Sequence, residues 1–127
     1  MKKALLVIVL LQSVAALAQK APTDCKQFRN GTFKMTYMGK ETRIVRKGTQ
    51  QLQYFDNNKT PIEFTVKWID DCTFTLTPGK AVAHHPGVPP NAVLTMHITK
   101  TSPNSYTQIT TANFTKQAIT GEIYRVK

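Results

Sequence analysis

Acidic side chains are scarce in this chain, which has 7 aspartate and glutamate residues against 17 lysine and arginine residues. A surface with this imbalance attracts anionic partners such as lipids, polysaccharides and nucleic acids. The basic residues are spread along the chain and form no run longer than two, as in Arg46-Lys47. Simple solubility is therefore the plainer interpretation of the charge, and an anionic surface remains a candidate partner.

Residues that carry out catalysis are equally few. Beyond the first 18 residues, serine occurs only at Ser102 and Ser105, and neither lies in the G-x-S-x-G pattern of a nucleophile elbow. The adjacent carboxylates of Asp70 and Asp71 are of the type used in acid–base catalysis, but aspartate is also a standard turn residue between two strands. The sequence therefore predicts no catalytic residue and no enzymatic activity.

Histidine occurs at three positions, His84, His85 and His97. Its imidazole ligates metals and transfers protons. On an extended chain, however, His84 and His85 point to opposite sides, and their proline-rich surroundings are typical of a solvated loop. We therefore predict no metal site and no cofactor.

The chain has no apolar run of the roughly 20 residues that a membrane-spanning helix requires. Its longest run, residues 4–11, follows two lysines and ends at Gln12. An Ala-Leu-Ala stretch at residues 16–18 then matches the small-x-small rule of signal peptidase. We predict a signal peptide over residues 1–18 and a mature single domain over residues 19–127, without a transmembrane segment and in the periplasm or secreted.

Cysteine occurs twice, at Cys25 and Cys72, both in the predicted mature chain. An even count in an oxidising compartment predicts a disulfide. In the chain-entropy model it would stabilise the fold by about 4 kcal/mol. Free buried thiols and a shared metal ion are the alternatives, and no C-x-x-C spacing supports the metal.

A helical period is absent as well, because no 3.6-residue repeat persists for three turns. Alternation of apolar and polar residues, the signal of a β-strand, occurs throughout the mature chain. The clearest case places Ile62, Phe64, Val66 and Trp68 on one face. The pattern predicts about eight short strands, near residues 33–37, 42–47, 51–55, 62–68, 72–77, 94–99, 106–111 and 116–126.

Short turns between most of these strands indicate an antiparallel meander. A sheet that alternates in this way needs one covered face. Eight strands can cover it by curling into a small up-and-down barrel, which also removes exposed edges. We therefore predict an all-β fold of this type, with a two-sheet sandwich as the alternative.

Two segments resemble a group of small exported proteins of Bacteroidetes-type bacteria whose function is unknown. The first is C-x-x-F-x-x-G-x-F from Cys25 to Phe33, and the second is W-x-x-x-C-x-F-x-L from Trp68 to Leu76. The resemblance covers roughly half of the mature chain and implies a small exported β-rich protein, without implying any functional residue. The expected shape is also similar to that of lipocalins, which is an analogy of fold alone.

The apolar face of such a barrel encloses either a filled core or a ligand cavity. The aromatic residues predicted to line a cavity are Phe33, Tyr37, Tyr54, Phe64, Trp68 and Phe74. We predict a non-catalytic domain that binds a small apolar molecule or an anionic surface. The alternative is a structural or accessory envelope protein that acts by protein contact. Nucleic acid is not an expected partner, because export separates the protein from it.

Overall fold

The computed structural model describes residues 22–56, 59–79 and 88–126. The predicted signal peptide and the His84-His85 pair lie outside the described residues. Within these ranges the chain forms one 3₁₀ helix and eight strands. In chain order they are the 3₁₀ helix Cys25–Phe28, β1 Gly31–Tyr37, β2 Lys40–Lys47, β3 Gln50–Phe55, β4 Ile62–Asp70, β5 Thr73–Pro78, β6 Leu94–Ser102, β7 Ser105–Ala112 and β8 Thr115–Arg125.

The eight strands form a closed barrel. Each strand pairs antiparallel with the next, and β8 pairs with β1. In the closing pair, Phe33 lies opposite Arg125 and Met35 lies opposite Ile123. The predicted all-β meander is therefore confirmed as a barrel, and the two-sheet alternative is wrong.

The two-residue repeat of the strands sends alternate side chains into the barrel. In β4, Ile62, Phe64 and Val66 are buried, whereas Glu63 and Thr65 are exposed. Burying these apolar side chains is the main favourable contribution to the fold, at about 25 cal/mol per Å² of apolar surface.

Strand β3 departs from this pattern, because it turns polar side chains inward. Gln51 and Gln53 are buried, whereas Leu52 and Tyr54 are half-buried on the outer face. The register explains this orientation. Gln53 pairs with Ile44 of β2, which is 3% exposed, and directly paired residues point to the same face of a sheet.

The 3₁₀ helix and a disulfide close one end of the barrel. Cys25 and Cys72 are joined, with their Cα atoms 5.2 Å apart, which confirms the predicted disulfide. Phe28 is fully buried, and its ring centroid lies 4.7 Å from that of Tyr106 and 6.3 Å from that of Phe33. We call residues 25–28 the plug.

At the opposite end the strands are joined by the β1–β2, β3–β4, β5–β6 and β7–β8 connections. The first is a two-residue turn in which Met38 has φ 52° and Gly39 has φ 77°. Positive φ at both central residues is typical of the type I′ turns that match the twist of a hairpin. Met38 is 84% exposed as a result.

Asp70 caps the turn that carries Cys72. Its Oδ1 accepts a hydrogen bond from the backbone N–H of Cys72 at 2.9 Å. This hydrogen bond favours the ionised carboxylate and is the main reason that the pKa of Asp70 lies below its usual value of 3.8. Smaller contributions come from Thr73 and His97, and desolvation acts in the opposite direction.

A lowered carboxyl pKa makes stability depend on pH in one direction. The contribution is present above the unfolded-state pKa and is lost as the pH falls through the lower folded-state pKa. We therefore expect the melting temperature of the wild type to fall more steeply than that of Asp70→Asn below about pH 4, because asparagine keeps an acceptor but does not titrate. Thermal unfolding across a pH series measures this, and identical profiles for the two proteins would contradict it.

Candidate functional site: an open cavity with a polar floor

A cavity of about 240 Å³ lies inside the barrel, on the open side of the plug. Its wall comes from the inward faces of several strands and from the segment that precedes β6. The apolar part of the wall consists of Met35, Tyr37, Ile44, Phe55, Phe64, Val88, Leu94, Met96 and Ile119. An apolar wall with few polar groups is typical of small-molecule sites.

The cavity opens to solvent at the end opposite the plug. Tyr37, Phe55 and Ile119 line it and are also 47%, 39% and 39% exposed. Two further exposed apolar residues, Met38 and Phe114, lie in turns at this end. We call these five residues the apolar rim.

The floor of the cavity is built around a buried arginine. Arg46 is 2% exposed. Its Nε donates to Gln51 Oε1 at 2.8 Å, its Nη1 to the Phe28 carbonyl oxygen at 2.7 Å, and its Nη2 to the Tyr106 hydroxyl at 3.0 Å. Arg46 therefore connects the plug, β3 and β7 at the base of the cavity.

Aromatic rings surround the same guanidinium. Its central carbon lies 4.6 Å from the ring centroid of Phe74, 5.1 Å from that of Phe33 and 6.0 Å from that of Tyr106. The negative faces of aromatic rings attract a cation at these distances. They compensate part of the charge but supply no counterion.

No acidic side chain forms an ion pair with Arg46 in the described part of the chain. All seven acidic residues of the chain lie within the described ranges, and all are exposed. The ion pairs of the described residues join Asp71 to Lys26 and Arg29, and Asp56 to Lys40, on the outside of the barrel. The buried guanidinium therefore has neutral hydrogen-bond acceptors and aromatic rings around it, but no negative charge.

Two glutamines extend the hydrogen-bond network from Arg46 along the cavity. Gln51 Oε1 accepts from Arg46, and Gln51 Nε2 donates to Gln53 Oε1 at 2.9 Å. Arginine has donors only, which forces Gln51 to present its oxygen to Arg46 and its amide nitrogen to Gln53. Gln53 must then accept through its oxygen, so its own amide N–H groups are available to the cavity that it lines.

Gln108 adds a third glutamine to the cavity wall. It is 5% exposed, its Nε2 donates to Thr110 Oγ1 at 3.2 Å, and its buried Oε1 has no hydrogen-bond partner in the part of the chain that the structure describes. Buried polar atoms without partners are uncommon. Gln108 therefore adds to the cavity wall an amide whose oxygen has no partner among the described residues.

The structure places only some of the aromatic residues predicted to line a cavity in its wall. Tyr37 and Phe64 line it. Phe33 and Phe74 are fully buried beside the guanidinium of Arg46, below the open space. These two belong to the packed base of the site.

The remaining two predicted residues lie away from the cavity. Trp68 is half-buried, with its ring centroid 4.6 Å from that of Phe74 and 4.9 Å from the Arg29 guanidinium carbon. Tyr54 lies on the outer face of the barrel, where the guanidinium carbon of Arg43 is 4.4 Å from its ring centroid.

Sequence reasoning missed the polar floor. Arg46, Gln51, Gln53 and Gln108 were not singled out, because polar residues in a strand are normally assigned to the solvent face. A signal was nevertheless present in β2, where Arg46 follows Ile44 by two residues and so shares its face.

The residues considered for catalysis or metal binding do not form a common site in the described part of the chain. His97 is exposed, and its Nδ1 lies 2.9 Å from Thr73 Oγ1 on the outside of the barrel. Over the described ranges, no three histidine, cysteine or acidic side chains come together in a way that could hold a metal ion. The same residues include no helix of the length and apolarity needed to cross a membrane.

Comparisons with protein-family models, curated proteins and solved structures found no match to this chain. The resemblance to small exported Bacteroidetes-type proteins therefore stays a prediction. The geometry of the cavity is what supports a function.

Proposed function

We propose that this protein is an exported, non-catalytic binding protein that holds a small apolar molecule inside its barrel. The observation that carries the proposal is the cavity of about 240 Å³ with an apolar wall and an open mouth. This volume lies just below the range of about 300–1,000 Å³ that is usual for sites of drug-sized ligands. A ligand with a short hydrocarbon part fits such a space.

The construction of the barrel supports a preformed site. The strands are hydrogen-bonded all the way round, and the plug is tied to the β4–β5 turn by the Cys25–Cys72 disulfide. A rigid site loses little conformational entropy when a ligand enters, which favours binding. Because the plug closes one end, a ligand enters through the apolar rim.

Export is part of the proposal and is supported by two observations. The first 18 residues have the pattern of a signal peptide. The disulfide is of a kind that persists in oxidising compartments such as the periplasm and the extracellular space.

Native mass spectrometry of the oxidised protein purified from its native host tests the proposal. We expect a bound small molecule that is released on denaturation. Val88→Trp is expected to weaken binding at least about fivefold and so to lower the bound fraction, because the larger side chain would fill part of the cavity that Val88 lines and an overpacked site costs about 1–3 kcal/mol.

Val126→Trp is the matched control, since Val126 is 54% exposed and follows β8 at the plugged end. It should carry as much ligand as the wild type. A wild-type protein that is always recovered without a small molecule, and that binds none of the probes described below, would contradict the proposal.

A second candidate function, contact with a protein of the cell envelope, is favoured by the apolar rim. Exposed apolar residues that cluster at one end of a small barrel are typical of an interaction surface. Under this alternative the purified protein is free of small molecules, and Met38→Asp removes a co-purifying partner. Under the cavity proposal, Met38→Asp leaves the bound molecule in place.

A further inference from the structure

We infer that the cavity is specific for a monoanionic ligand, a short alkyl carboxylate, whose head lies on the polar floor and whose tail points to the apolar rim. The inference rests on the proposed function and adds the chemical class of the ligand. The polar floor consists of Arg46, Gln51, Gln53 and Gln108.

The first argument is the charge balance of the cavity. Among the described residues that line the cavity, Arg46 is the only charged one, and its side chain is almost completely buried. A buried charge is unfavourable unless an opposite charge or a full set of hydrogen bonds compensates it. Since every acidic side chain of the chain is exposed, a ligand with one negative charge supplies the counterion that the protein lacks.

The second argument is the direction of the hydrogen-bond network. The Arg46–Gln51–Gln53 chain donates at each step towards the cavity and ends on the amide N–H groups of Gln53. A network that ends on donors requires an acceptor from the ligand. A carboxylate offers acceptors only, whereas an ammonium group offers none.

Gln108 can adapt to the same head group. Its amide nitrogen bonds to the hydroxyl of Thr110, and a hydroxyl both donates and accepts. The amide can therefore turn over while it keeps this bond, which places its N–H groups where the unpartnered Oε1 now lies. In this orientation the amide has no unpartnered acceptor beside the head group.

The third argument is the separation of polar and apolar surfaces along the barrel axis. In β2, Ile44 and Arg46 point inward in succession, with Arg46 nearer the plug. Tyr37, Phe55 and Ile119 occupy the other end, at the mouth. This arrangement matches a molecule with one charged end and one hydrocarbon end, and its size matches about ten non-hydrogen atoms.

Isothermal titration calorimetry of the oxidised mature protein near neutral pH, with octanoate, 1-octanol and octylammonium, tests the inference. These probes each have eight carbon atoms in a straight chain and differ in the head group. We expect octanoate to bind between about 10-fold and about 100-fold more tightly than 1-octanol, the range for a hydrogen bond to a charged group. Octylammonium is expected to bind more weakly than 1-octanol.

The variant Gln53→Glu is expected to invert this ranking. A glutamate at this position still accepts from Gln51 Nε2, so the network towards Arg46 is kept, but the cavity now contains its own carboxylate. Octanoate affinity should fall at least about tenfold, and octylammonium should bind more tightly than octanoate, because the introduced carboxylate neutralises Arg46 and repels a second carboxylate. If the variant were unfolded, the binding of all three probes would weaken together. An inverted ranking therefore distinguishes the change of charge in the cavity from a loss of folding.

Gln27→Glu is the matched control, because it makes the same charge change at an exposed residue of the plug. It should keep the wild-type ranking. Gln53→Met is a second variant that removes the amide donors of this side chain without adding charge, and we expect its preference for octanoate over 1-octanol to be smaller than that of the wild type, with the remainder due to Arg46.

Equal affinities of the wild type for octanoate and 1-octanol would overturn the inference and leave the proposed function in place. An unchanged ranking in folded Gln53→Glu would overturn it too. Binding of none of the three probes, together with a bare mass from the native host, would overturn both the inference and the proposed function.

Discussion

Replacing both cysteines, as Cys25→Ala with Cys72→Ala, should lower the free energy of unfolding by about 4 kcal/mol. The two residues are 47 positions apart in the sequence, so the disulfide removes the freedom of a long loop from the unfolded chain. At about 4–8 °C per kcal/mol for a domain of this size, the melting temperature should fall by roughly 15–30 °C.

The disulfide has a second effect, on the floor of the cavity. It holds the plug, and the Phe28 carbonyl oxygen in the plug accepts a hydrogen bond from Arg46. Arg125 provides a parallel connection, because its guanidinium donates to the carbonyl oxygens of Gln27 and Asn30. We therefore expect the cysteine-free protein to fold at low temperature with a less rigid floor.

Urea unfolding of the wild type, with and without dithiothreitol, and of the cysteine-free variant measures this effect. Reduction should destabilise the wild type about as much as the double substitution does, and it should leave the variant unchanged. A difference below about 1 kcal/mol between the oxidised wild type and the variant would contradict the chain-entropy estimate.

The second large effect is expected from Phe28→Ala, which should cost about 3–5 kcal/mol. Phe28 is fully buried, and its ring packs on Tyr106 and Phe33 at the closed end of the barrel. Removing the ring leaves a void beneath Arg46. It also removes the cation–π contact of Arg125, whose guanidinium carbon lies 5.4 Å from the Phe28 ring centroid. The loss combines transfer free energy with the cost of the cavity.

Phe114→Ala is the matched control, because Phe114 is 43% exposed in the β7–β8 turn. Exposed positions of this kind usually change stability by less than about 0.5 kcal/mol. Equilibrium urea unfolding of the two variants should therefore separate them clearly. Similar losses in Phe28→Ala and Phe114→Ala would show that the plug does not contribute to the core as described.

The losses of stability caused by Phe28→Ala and by removal of the disulfide should not be additive. Phe28 and the disulfide hold the same four-residue helix in place. Residues that share an element commonly show coupling of about 0.5–3 kcal/mol. We expect the triple variant to be less destabilised than the separate losses together imply.

Much of the fold follows from local patterns. The alternation of Ile62, Phe64 and Val66 identifies β4 and its buried face, since a polar residue on that face would lose its hydration. The cysteine count, together with the predicted export signal, likewise predicted the disulfide. Each of these patterns is contained within a short segment or in the composition, so neighbouring strands are not needed to recognise it.

The candidate site was less accessible from the sequence. Tyr54 looks as suitable for a cavity wall as Tyr37, but the pairing of Gln53 with the inward Ile44 sends Tyr54 to the outer face. A shift of one residue in register would exchange the faces of β3. The orientation of this strand is therefore a property of the pairing between strands.

The sequence by itself determined that this protein has a β-rich fold with a disulfide, because alternation, turn residues and cysteine content act locally. Only the tertiary structure decided that β1 and β8 meet, and that the plug closes one end. The same is true of the polar floor, where Arg46 meets Phe28, Gln51 and Tyr106. The contacts of Arg46 with Phe28 and Tyr106 join residues 18 and 60 positions apart, and only the folded barrel brings them together.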